Sequence, residues 1–171
     1  MPALPTFLDT QYPLKLPNEL KEEALAWVQT QTATQHRGPM EAPYRRLVDL
    51  WFAGVAWAVH KDLKPATKAT GPKFVSVGPN PNDLRNFESW RAKLLTVLAI
   101  RDFGHEDPRS FDPRATIDLA NRYAEVGTRE LLNSLQEGDA LSIPRLHSTA
   151  QMFLDELAWL TGESTQREKR G

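Results

Sequence analysis

Ten consecutive residues without a polar side chain, Leu50 to Val59 within DLWFAGVAWAVHKDLKP, set the first constraint on this chain. A bilayer-crossing helix needs about 20 such residues. Lengthening the run would carry Asp49 or the His60, Lys61 and Asp62 group into hydrocarbon, at a cost of several kcal/mol. The run therefore belongs in a protein interior. Pro43 suits a first helical turn and Pro65 follows a last one, which predicts a helix from about Pro43 to about Lys61. Leu47, Leu50, Trp51, Gly54, Val55 and Ala58 form one apolar stripe, and Val48, Phe52, Ala56 and Val59 make the other side almost as apolar. A helix apolar all round is wrapped by others, with the lining of a ligand pocket as the alternative. Gly54 costs such a helix about 1 kcal/mol against alanine, so its expected use is the close approach of a neighbouring backbone.

Prolines divide the rest. Pro2, Pro5, Pro13 and Pro17 stand among Leu4, Phe7, Leu8, Tyr12, Leu14 and Leu16, an extended arm too apolar for a free tail. It lies across its own domain or adds to a partner. Asn18 is placed to cap a helix running to about Gln31, with Glu19, Glu22 and Glu23 near its positive end. Pro65, Gly71, Pro72, Gly78, Pro79 and Pro81 forbid a long helix from Lys64 to Asn82. Within it only KFVSV, Lys73 to Val77, alternates as a short strand does. A helix is expected from Asn80 to about Gly104, burying Leu84, Phe87, Trp90, Leu94, Val97 and Leu98. Another begins with Asp112 as cap and Pro113 as first residue and ends at Gly138, with a break or kink expected at Gly127. Arg114, Asp118 and Arg122 stand four apart, as do Glu125 and Arg129, a pattern of a solvated face. A last helix runs from Ser142 to about Gly162.

The expected fold is all-α: a compact irregular bundle of five or six helices with a proline-rich N-terminal arm and at most one short β-element. The arm covers residues 1–17, a single helical domain residues 18–162 and a polar tail residues 163–171. A length of 171 residues suits one domain.

The chain has no cysteine, which excludes disulfides, thiol catalysis and cysteine-ligated metals. The N-terminus lacks the basic start and continuous apolar core of a secretory signal, so cytoplasmic placement is expected. His36, His60, His105 and His147 lie in four different segments without metal-ligand spacing, and no metal or cofactor is expected. No serine-nucleophile, phosphate-loop or dinucleotide motif occurs. A formal net charge of −1 gives no global attraction to nucleic acid. Locally, His36 to Arg101 carries eleven Lys or Arg against five Asp or Glu, while Asp102 to His147 carries five against nine. Arg45, Arg46, Lys61, Lys64, Lys68 and Lys73 form the candidate phosphate-binding patch, the lysines in a loop expected to be mobile. Of five tryptophans, Trp159 shares the less apolar side of the last helix with Met152. Phe7, Leu8, Tyr12, Met152 and Trp159 are the candidate protein interface.

PYRRLVDLWFAGVAWAV, then LLTVLAIRDFG, then IDLANRYAEVGTRELLNSL resembles, over about Pro43 to Leu135, the small helical accessory proteins of bacterial DNA-phosphorothioation and other phage-defence systems. The most specific part is NRYAEVG, read as a turn before a leucine-rich helix. The resemblance implies a bacterial protein in a multi-protein assembly that handles DNA, and it brings no catalytic residues. The residues favour a non-enzymatic accessory or adaptor subunit with a protein partner or self-association. The alternatives are a DNA- or RNA-contacting module using the basic patch and a small enzyme with a pocket beneath Trp51 and Trp57.

Overall fold

The computed structural model describes residues 12–29, 42, 44–68, 74–77 and 89–136. The expected last helix and tail, Phe7, Leu8, Met152, Trp159, Lys73 and the helix start at Asn80 all lie outside them. The described chain is mostly helical, with four α-helices and one two-stranded sheet. Among the described residues, no helix is long and apolar enough to cross a membrane.

Strand β1, Lys15–Pro17, pairs antiparallel with β2, Phe74–Ser76, in the register Leu16↔Val75. The Val77 N–H donates to the Leu14 carbonyl at 3.0 Å and extends the ladder by one step. Sequence alone leaves the strand at 74–76 without a visible mate, and its mate is Lys15–Pro17. Lys15 turns its N–H away from β2 to Asn121 Oδ1, 2.7 Å. Pro17, two residues on, falls on that same side, where its missing N–H costs the ladder nothing. Leu14 and Leu16 are buried in the core.

A 3-10 turn over Asn18–Leu20 leads into α1, Lys21–Ala26. This helix is shorter than the span to Gln31 that the sequence predicts, and no side chain caps either start. Trp27 and Val28 are diverted into a parallel bridge with Tyr44: the Gln29 N–H donates to the Tyr44 carbonyl (2.8 Å) and the Tyr44 N–H to the Trp27 carbonyl (3.2 Å). The same bridge moves the start of the apolar helix. With Tyr44 committed to it and Arg46 extended, α2 runs Leu47–His60 instead of starting at Pro43, and Asp49 Oδ2 accepts the Arg46 N–H at 2.9 Å. At the other end the Asp62 N–H donates to the Val59 carbonyl (3.1 Å) and the Leu63 N–H to the Ala58 carbonyl (2.8 Å). That is a Schellman ending, with Asp62 at φ 52° where glycine is usual.

Helix α3, Ser89–Phe103, stops at Gly104, whose φ of 95° turns the chain. Leu94, Leu95 and Leu98 face the core. The loop that follows is fixed from within: buried Ser110 donates to the Gly104 carbonyl at 2.6 Å, and Asp107 accepts the Arg109 N–H at the head of a 3-10 turn over Pro108–Phe111. Helix α4, Pro113–Gln136, begins as expected, with Asp112 Oδ1 accepting the Arg114 N–H at 3.0 Å.

No break occurs at Gly127, and NRYAEVG is mid-helix, not a turn. The glycine makes room for α2. A Cβ on Gly127 would stand 1.8 Å from the Gly54 carbonyl oxygen, and one on Gly54 would stand 2.2 Å from Thr128 Oγ1 and 2.9 Å from its backbone nitrogen. The two helices meet at these glycines. Two apolar clusters occupy the interior. One joins Trp51, Phe52 and Val55 of α2 to α3, the first half of α4, and Leu14 and Leu16. The other joins Leu50 and Trp57 to Ala24, Val28, Tyr44 and Leu131, Leu132 and Leu135 of α4. A helix apolar on both sides serves two clusters at once.

Candidate functional site

Three consecutive polar residues on one turn of α4 each bond a different part of the chain. Asn121, Arg122 and Tyr123 point in directions about 100° apart, and each holds a different segment. Asn121 accepts the Lys15 N–H and gives its own Nδ2–H to the Pro13 carbonyl at 3.2 Å, so its amide grips the backbone leading into β1 twice. The Trp51 indole adds a third grip, donating to the Lys15 carbonyl at 3.2 Å. Arg122 Nε donates to the Ala66 carbonyl while the Ala66 N–H donates to the Arg122 carbonyl at 3.3 Å. Tyr123 donates its hydroxyl to Asp102 at 2.8 Å. Burial, then the hydrogen bond and charge of Asp102, push the Tyr123 phenol up to about 12. The other buried phenol, Tyr44, is pushed up by burial alone, and its oxygen has no hydrogen-bond partner among the described residues.

This hub is absent from the reading of the sequence, which places Arg122 on a solvated charge ladder. Arg129, expected opposite Glu125, donates to Glu19 of the first 3-10 turn. Nothing in the spacing of α4 distinguishes an arginine that bonds a distant carbonyl from one that bonds its own helix neighbour.

The candidate basic residues separate into two groups. Arg45 and Arg46 are exposed at the start of α2. Arg46 lies 3.7 Å from Asp49, whose other oxygen takes Arg91 at 2.7 Å. Lys61, Lys64 and Lys68 follow the end of the same helix. Its fourteen residues, at about 1.5 Å rise each, put roughly 20 Å between the groups. The lysine segment is not a loose loop: the Schellman turn fixes one end and Arg122 fixes its middle. Lys61 Nζ lies 4.9 Å from the centre of the Trp57 ring, and Arg101 pairs with Asp62.

Of the candidate interface residues, Tyr12 alone falls among the described ones. It is 43% exposed, with the Arg114 guanidinium 5.9 Å from its ring centre. The chain that follows it is held at Pro13, Leu14 and Lys15 by the bonds above. Trp51 and Trp57, the pair that would roof a pocket, belong to different apolar clusters, and Trp51 is fully buried. The described histidines make aromatic contacts: His60 tilts against Trp57, and His105 meets Phe111 edge-on. No protein-family model, curated protein or solved structure matches this chain.

Proposed function

We propose that this chain is a non-enzymatic accessory or adaptor subunit, acting in the bacterial cytoplasm within a multi-protein assembly for phage defence or DNA handling. The observation that carries the contact role is Tyr12 with Arg114, an exposed aromatic on the chain leading into β1 and an exposed arginine on the first turn of α4. Tyrosine and arginine dominate binding energy at protein interfaces. A strand that is ordered beforehand loses little further freedom on docking. The resemblance of the segment from about Pro43 to Leu135 to defence-system accessory proteins supplies the biological setting.

The test is affinity purification of the tagged full chain from its own cells, followed by native mass spectrometry. A stoichiometric complex is expected, and Tyr12→Ala combined with Arg114→Ala should weaken it by about thirtyfold or more, the scale of a hot spot. Circular dichroism and melting should be unchanged in the double variant. A chain that runs alone, or a complex indifferent to both substitutions, would refute the proposal. Removing residues 1–16 is a poor probe, because it takes Leu14 and Leu16 out of the core.

A further inference from the structure

We infer that the segment after α2, together with Arg122, is a surface for a row of phosphates, those of a nucleic-acid backbone. Lys61, Lys64 and Lys68 are all exposed, and no carboxylate among the described residues lies within ion-pair distance of them or of Arg122. Arg46, Arg91, Arg101, Arg109 and Arg129 each have an acidic partner. The one acid within the segment, Asp62, is bound to Arg101. Asp118 and Glu125 stand one turn either side of Arg122 on α4, and no ion pair joins Arg122 to either. Three lysines thus follow one another along the segment, Arg122 is bonded to it at Ala66, and the segment's own acid, Asp62, is paired with Arg101.

Their backbone is fixed before any ligand arrives. The Schellman turn places Lys61 and Lys64 on either side of Asp62 and Leu63, and the paired bonds between Ala66 and Arg122 hold the chain between Lys64 and Lys68. Lysine side chains act as point charges that suit phosphates without demanding one geometry. Lys61, Lys64 and Lys68 are three and four residues apart, a spread of at most about 25 Å at full extension. Lysines spaced along one segment suit successive phosphates better than a single one, which calls for converging donors. Arg45 and Arg46, roughly 20 Å away along α2, are not part of the row. The inference does not use the Tyr12 contact and stands or falls independently of it.

The test is fluorescence anisotropy of the full chain with a labelled 20-base-pair DNA duplex between 50 and 200 mM salt, with phosphatidylserine vesicles as a second probe. Three to four displaced counterions predict a slope of log K against log salt of about −3, or roughly a 50- to 150-fold loss of affinity over that range. Lys64→Glu with Lys68→Glu, both at exposed positions, should weaken binding about tenfold or more at 50 mM and make the slope shallower by about two. An unchanged melting temperature would show that the variant folds. No binding at 50 mM, binding that the double variant leaves intact, or binding to vesicles without binding to duplex would each overturn the inference.

Discussion

The face of α4 that meets α2 and the face that meets β1 are built on opposite principles. Against α2, contact depends on what is missing: Gly54 and Gly127 carry no side chain, and backbone approaches backbone through that gap. Against β1 and the residues leading into it, contact depends on what is present: Asn121, joined by Trp51 of α2, reaches out to the Pro13 and Lys15 backbone. The first seam is defined by volume and the second by the direction of hydrogen bonds. Adding atoms should therefore break the one, and removing atoms should loosen the other.

Gly127→Ala is the strongest way to test this contrast. Its new methyl would collide with the Gly54 carbonyl, a backbone atom that cannot rotate aside. Overpacking of this kind costs about 3 kcal/mol or more, and urea unfolding should show that loss or a failure to fold. A change below about 1 kcal/mol would mean that the helices slide apart easily and that the seam is not set by volume.

Asn121→Ala should cost less, about 1–3 kcal/mol, by leaving the Lys15 N–H buried without a partner. Its signature is local. Amide exchange should quicken at Val77, whose N–H reports the β1–β2 ladder, before it quickens at the centre of α2. Equal acceleration at both places would show that the β1–β2 ladder and the helix pair open together, and the contrast between the seams would fail.

The smallest effect separates the third contact of the hub, Tyr123 to Asp102. Tyr123→Phe should cost about 1 kcal/mol near neutral pH. The phenol titrates near 10 when unfolded and at about 12 in the fold. Below pH 10 it is protonated in both states and its contribution is complete. Between about 10 and 12 only the unfolded chain gives up the proton, so stability falls across that window. Urea midpoints from pH 9 to 11 should decline less steeply in Tyr123→Phe, with the decline due to Tyr44 remaining. Identical slopes in the two proteins would show that the Tyr123 phenol is not protected.

The local features of the sequence determine much of this protein by themselves. The apolar run Leu50 to Val59 requires a buried helix, because ten such residues have no other stable home than a protein interior. Gly54 marks a close approach, because a helix-interior glycine is unfavourable unless space is needed. Asp112 with Pro113 starts a helix, Gly104 ends one, and alternation at 73–77 marks a strand, because caps, turns and pleats depend on residues adjacent in the chain. Tertiary structure decided the pairings: that β2 finds its mate in Lys15–Pro17, that Gly54 meets Gly127, and that Asn121, Arg122 and Tyr123 hold three different segments. It also shortened α1 and delayed α2, since the bridge from Val28 to Tyr44 joins residues sixteen apart. The physical reason is range. Periodicity and capping act over one or two turns, whereas a carbonyl at residue 13, 15 or 66 satisfied by a side chain on α4 or α2 leaves no trace in the spacing of either partner.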